Sequence, residues 1–295
     1  PTATDNVYIT GYIVSVTEKN ATAASIVINN KYHDDSRLIV QKGKTLTVSG
    51  DIYVTSLNRN KAADIWVQGN HSILKVGGDI TIERTKDNTH SSSNQILVSG
   101  TSKLQVHGDV AFTLQSSDPG YANNVIVMND NAKFICDSNL VLRMAMVGDF
   151  NVALNDNSSL QIHGDLKTFI KSGKNFELRI KDNASLHVNR DFLLNQIGGE
   201  MVTITVENTT PGINQFTVNG NFSILHEVGG HLNIQALNNG EIFVKRDFMI
   251  DWTGSSISWS ELKLAAKNEG AITVTGSMNI NMLDQYDGKL MVDVD

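Results

Sequence analysis

Apolar and polar residues alternate along this chain in short bursts, and one burst returns about nine times. It reads LTVSGDI at 46–52, LKVGGDI at 74–80, LQVHGDV at 104–110, FICDSNL at 134–140 and LQIHGDL at 160–166. It continues as LHVNRDF at 186–192, FTVNGNF at 216–222, IFVKRDF at 242–248 and ITVTGSM at 272–278. Successive copies lie 26, 28 or 30 residues apart. A fixed period of this size marks a solenoid, with one structural coil per repeat.

Each period predicts three short strands. In the first, alternate residues point inward, the period-2 signature of a half-buried strand. One inward column is Leu46, Leu74, Leu104, Phe134, Leu160, Leu186, Phe216, Ile242 and Ile272. The other is Val48, Val76, Val106, Cys136, Ile162, Val188, Val218, Val244 and Val274. A corner follows, usually Gly-Asp, where glycine is expected to supply positive φ and the Asx side chain to cap a backbone N–H. Arg190 and Arg246 replace that glycine, which predicts a milder bend there. The second strand begins apolar at Ile52, Ile80, Val110, Leu140, Leu166, Phe192, Phe222, Phe248 and Met278. Its next inward column holds Thr168 among aliphatic residues. A loop of variable length comes next, then a third strand such as DIWVQ (64–68) or FELRI (176–180). That strand ends in an Asn/Asp/Gly turn, where inward amides are expected to stack coil on coil.

Three strands and three corners in 26–30 residues leave no room for a crossover helix. Each strand must pair in parallel with its equivalent one coil away, at about 4.8 Å. The predicted fold is an all-β, right-handed parallel β-helix with three strands per coil, the hand following from the general preference of parallel crossovers. About ten coils are expected, forming one body over residues 1–295. Residues 46–295 are its regular coils. Residues 1–45, with YIVSV (12–16), SIVIN (25–29) and RLIVQ (37–41), are expected to form one irregular first coil.

Composition narrows the function classes. Apolar residues make up 40% and aromatics 6%, so the core must be aliphatic. The net charge of −7, without a dense Lys/Arg run, leaves nucleic acid no electrostatic footprint. No apolar stretch is long enough for a membrane-spanning helix. The lone cysteine, Cys136, sits in an apolar column and is expected to be a buried thiol. The chain opens at Pro1 without Met, and both ends read as open coils. These features predict an excerpt of a longer chain, with further coils or end-to-end neighbours as partners.

The corner acids are the first candidate for chemistry. Asp51, Asp79, Asp109, Asp165, Asp191 and Asp247 stack in register. Their spacing of about 4.8 Å suits a bridging calcium, while the alternative is an Asx corner with each carboxylate on backbone amides. Asn139, Asn221 and Ser277 interrupt the column, and no nonapeptide calcium pattern occurs. No other cofactor is expected. His107 and His163 share an outward position two coils apart, which gives no zinc-ligand spacing. Tyr53, Trp66, Trp252 and Trp259 are the candidate surface aromatics for a sugar-stacking strip. Trp66 should point outward, between inward Ile65 and Val67.

Arg179-Ile180-Lys181 matches a polygalacturonase fragment, but the rest of that signature is missing, so no catalytic residue is assigned. GxSxG and GxxxxGK[ST] motifs are absent. Asn-x-Ser/Thr triplets at Asn20, Asn70, Asn157, Asn183, Asn208 and Asn221 follow from turns rich in these residues.

The stretch ATAASIVIN…RLIVQKGKTLTVSGDIYV resembles the β-helical repeats of large cell-surface adhesins of the Bacteroidetes, including gliding-motility adhesins exported by type IX secretion. The resemblance covers about residues 7–54 directly and the remainder by repeat pattern. It implies an extracellular, repetitive stalk or filament that adheres to surfaces or glycans, and it names no catalytic residue. Two other functions fit the same pattern. One is a polysaccharide lyase or glycoside hydrolase, with loops 85–94, 115–124 and 207–215 walling a groove. The other is a trimeric, tailspike-like binding shaft.

Overall fold

The computed structural model describes residues 2–30, 34–56, 61–84, 94–116, 122–146, 149–172, 175–198, 200–210, 215–227, 230–253, 261–282 and 289–294. Three parallel sheets run the length of the body, two of 11 strands and one of 10, and each strand pairs with the one three elements away. This is a parallel β-helix with three strands per coil. The first coil holds β1 (Asn6–Thr10), β2 (Ile13–Val16) and β3 (Ala21–Ala23). The second holds β4 (Ser25–Asn29), β5 (Ser36–Val40) and β6 (Thr45–Val48). The repeated phrase builds the ten-stranded sheet that begins at β3.

The N-terminal segments therefore occupy two coils rather than the single irregular one expected. Their irregularity is local. Ala23 pairs with Val48 and Ile26 with Ile52. The chain thus crosses the first corner in one residue fewer than it uses at Ser49-Gly50-Asp51. A short Ala24-Ser25 link replaces the Gly-Asp corner, so the Asx pattern starts one coil later.

The core is set by the alternation. Val48, Val76, Val106, Cys136, Ile162, Val188, Val218 and Val244 have essentially no exposed surface. Val274 is half-buried, in the last coil of its sheet. Thr168 is buried as predicted, its Oγ1 without a hydrogen-bond partner. In the second-strand column the rings of Phe192, Phe222 and Phe248 stack along the axis, with centroids 4.5 and 4.8 Å apart. Equivalent aromatics in consecutive coils meet because parallel pairing places them at the strand spacing.

The interior is partly open at both ends. Val7, Ile9, Val14 and Val16 line a hollow of about 400 Å³ at one end. Ile272, Met278, Ile280 and Val292 line one of about 370 Å³ at the other.

Candidate functional site

The Gly-Asp corners form one continuous ladder. Asp51 Oδ1 accepts the backbone N–H of Asp79 at 2.8 Å, and Asp79 Oδ1 accepts that of Asp109 at 2.8 Å. Asp109 then serves Asn139, Asn139 serves Asp165, and Asp165 serves Asp191, at 2.9, 2.9 and 3.1 Å. Asp191 serves Asn221, Asn221 serves Asp247, and Asp247 serves Ser277, at 2.7, 3.3 and 2.9 Å. The side-chain oxygen of each corner thus satisfies the amide of the next. The asparagines continue the column because an amide oxygen accepts as a carboxylate oxygen does.

The corner glycine works differently from the sequence-based expectation. None of these glycines has positive φ. The demand is close approach: a Cβ built on Gly108 would lie 2.0 Å from Asp79 Oδ1 and 2.7 Å from Gly78 O. At Gly78 the same atom would lie 1.9 Å from Asp51 Oδ1. The small side chain of Ser138 is accommodated at this position, with a rung of 2.9 Å at Asn139. The two longest rungs, 3.1 and 3.3 Å, follow Arg190 and Arg246.

Two carboxylates of the ladder are shifted. Burial alone would raise the pKa of Asp109. Hydrogen bonds from Ser138 and Asn139 and the Lys167 charge outweigh it and hold the group below its usual value. Asp165 behaves alike: burial is outweighed by Lys167, by the Asp191 amide and by Arg190. Lys167 Nζ lies 2.9 Å from Asp165 Oδ2, and Arg190 Nε lies 3.6 Å from Asp165 Oδ1. Among the described residues, no group of three or more His, Cys, Asp or Glu side chains converges as a cation site would.

One arrangement at this edge was missed by the sequence reading. Asp137 lies in the coil between His107 and His163. Its Oδ2 is 2.6 Å from His107 Nδ1, and its Oδ1 is 3.1 Å from His163 Nδ1. The signal was available, since all three occupy the position that precedes the corner. Farther along, Asn219 Nδ2 lies 3.2 Å from His187 Nε2. Burial, followed by the Lys245 charge, lowers the His187 pKa.

The second turn is also laddered, but on the outside. Asn183 Nδ2 donates to Asn157 Oδ1 and Asn268 Nδ2 to Asn238 Oδ1, each at 3.0 Å. These amides are surface groups, not the inward ones predicted. Asn208, at the same turn, is fully buried, its Oδ1 accepting the Thr210 amide. Asp130, Asp156 and Asp182 take φ near 60° at this turn, a region that Asp and Asn tolerate better than most residues.

The four candidate aromatics do not form a strip. Tyr53 is 37% exposed on the second-strand sheet, and its hydroxyl donates to Glu83 one coil away. Burial, with the Glu83 carboxylate beside it, pushes its pKa up to about 12. Trp66 does face outward, but on the third-strand sheet, with the Arg37 guanidinium 3.7 Å above its ring. Trp252 is a correction: it is 4% exposed, continues the inward alternation of Phe248 and Ile250, and packs on the His226 ring at 4.0 Å. Trp259 lies outside the described residues, as do residues 85–93 and 117–121 of the first two loops and 211–214 of the third.

A different face carries a hollow. At the far end of the second strands, Thr113, Gln115, Arg143, Phe169, Lys171 and Ile197 line a groove of about 330 Å³. Thr113, Arg143 and Phe169 are register partners on consecutive strands. Phe169 is 38% and Ile197 48% exposed, and the Arg143 guanidinium lies 5.7 Å from the Phe169 ring centroid. Lys171 is the extra residue of a bulge, since Met144 pairs with Ile170 and Ala145 with Ser172.

No family model matches the chain, and no curated protein matches it. Among solved structures, the crystal structure of a TibC-catalyzed hyper-glycosylated TibA55-350 fragment aligns over 97% of this chain and 100% of that one. The identity is 12% and the TM-score 0.16, too low to bear on what this chain does.

Proposed function

We propose that this chain is a non-catalytic, structural or adhesive module of a cell surface, a stiff stalk segment whose flanks present binding surfaces. The observation that supports it is the corner ladder from Asp51 to Ser277. It ties nine successive coils side chain to backbone, beside three sheets that run the length of the body. At the strand spacing such a stack is about 45–50 Å long. The likeness of residues 7–54 to Bacteroidetes adhesin repeats supports the extracellular setting and gives the reading its finer form, a segment of a secreted adhesin.

Beads coated with the chain provide the test. They are expected to be retained under flow on cell surfaces or polysaccharide films, where albumin-coated beads wash away. Equal wash-off of the two bead types would remove the adhesive reading.

A further inference from the structure

We infer that the groove at Arg143, Phe169 and Lys171 is a binding site for an anionic polysaccharide, one bearing uronate or sulfate groups. This rests on the adhesive reading and gives it a ligand class.

Charge makes the first argument. The chain carries a net charge of −7, yet both charged residues lining this groove are cations. Among the described residues neither Arg143 nor Lys171 forms an ion pair, whereas nearby Lys167 and Arg190 are held by Asp165. A groove whose cations are left uncommitted in an acidic protein complements a polyanion. Arg presents a planar fork of donors that matches a carboxylate or sulfate edge.

Shape and surface make the second. The lining spans four consecutive coils, from Thr113 and Gln115 to Ile197. Three strand spacings amount to about 14 Å, the length of a short oligosaccharide lying along the axis. Phe169 offers an exposed ring, and Ile197 extends the apolar floor. The faces of a pyranose ring carry C–H groups that pack on such a surface. Thr113 and Gln115 supply hydrogen-bonding groups for hydroxyls at the rim. A linear chain with apolar ring faces, polar edges and one acid per residue or two matches all three features.

The bulge makes the third. Strand pairing in this helix is otherwise kept nearly in step, and a bulge in the second-strand sheet falls at Lys171. A bulge takes its extra residue out of the ladder and re-aims its side chain. Here it adds a second cation to a groove that already holds one.

The test uses the whole chain and titration calorimetry against polygalacturonate, dextran sulfate and uncharged dextran. Binding to either polyanion, weakened by salt and absent for dextran, is the expected result; which one binds identifies the acid group. The double variant Arg143→Gln/Lys171→Gln should lose about tenfold or more, the scale of a lost charge-assisted hydrogen bond. Phe169→Ala should lose about threefold to tenfold through its ring contact. Lys75→Gln/Lys103→Gln removes the same charge from another face and should change affinity less than about twofold, as exposed charges remote from a contact do. Melting curves confirm that each variant is folded.

The inference is overturned if neither polyanion binds, if dextran binds as tightly, or if anionic phospholipid vesicles bind more tightly than both. It also falls if the groove and control double variants lose affinity equally. Beads that adhere while the calorimetry is silent would sink this inference and leave the adhesive reading standing.

Discussion

The Gly-Asp corner and the groove lie at opposite ends of the same strands, and they are built by opposite rules. At the corner the same chemistry recurs coil after coil. One side-chain oxygen of each ladder residue serves the backbone of the next coil, and the glycines allow the close approach. At the groove nothing recurs: Thr113, Arg143, Phe169 and Asn195 stand at one register position with four different chemistries. Its cations lack ion-pair partners among the described residues, and the side chains of Phe169 and Ile197 face solvent. In a solenoid, a residue repeated in every coil serves the coil beside it. A residue that breaks the repeat without being buried is free to serve something outside. The acid column is periodic, and its side-chain oxygens accept the backbone amides of the neighbouring coil.

The largest test of this contrast lies beneath the ladder. Cys136 is fully buried, and burial pushes its thiol pKa up to about 12. Cys136→Asp places an unpaired charge in an aliphatic column and should cost about 3–5 kcal/mol. A denaturant melt matching wild type would mean that this column is not the interior.

Gly108→Ala comes next. Its Cβ meets the Gly78 carbonyl, backbone that cannot rotate away, as well as Asp79 Oδ1. Forcing the coils apart should cost about 1–3 kcal/mol, the range for overpacking. A variant that loses nothing would show that the corner tolerates a side chain as readily at Gly108 as at Arg190.

Removing one rung costs less, and its pH dependence has a definite sign. Asp109→Ala leaves the Asn139 amide without its acceptor and should cost about 1–2 kcal/mol. Asp109→Asn should cost under about 0.5 kcal/mol, since an amide oxygen already fills this role at Asn139 and Asn221. Asp109 and Asp165 both have folded pKa values below the ordinary 3.8. Their contribution is therefore complete above that value and is lost as pH falls below it, through the depressed folded values. Thermal melts from about pH 5 down to about pH 2.5 should show that loss for wild type and a smaller one for Asp109→Asn/Asp165→Asn. Parallel curves would mean that the two carboxylates are not bound more tightly in the folded state.

At the groove, stability should barely respond. Phe169→Ala and Arg143→Gln are exposed changes, expected within about 0.5 kcal/mol of wild type. If either destabilised the chain as much as Asp109→Ala, the groove would be part of the scaffold and the contrast would fail.

Most of the architecture was legible in the sequence. The period located the coils. Alternation assigned the inward columns, with Thr168 and Cys136 correctly inside. The candidate site was not legible in the same way. Trp252 reads as a surface aromatic by residue type alone, but its place two residues on from Phe248 and Ile250 puts it inward. The His107–Asp137–His163 contact follows from the same register, since Asp137 fills the coil between two histidines two coils apart; a search for zinc spacing passes over a carboxylate that bridges them. The groove left no motif, because Arg143, Phe169 and Lys171 match no pattern and meet only when two adjacent coils are aligned.

The sequence by itself determined that this chain winds into three parallel sheets. Strand period and coil period are both written into the spacing of apolar residues, and burying those residues admits one arrangement. Tertiary structure decided why the corners read Gly-Asp and where the surface departs from the repeat. Both depend on what the adjacent coil places within a few ångströms. The distance from Gly108 to Asp79 Oδ1, or from Arg143 to the Phe169 ring, exists only after the coils have stacked. Local pattern specifies which side of a strand faces inward; it carries no information on how closely two coils approach.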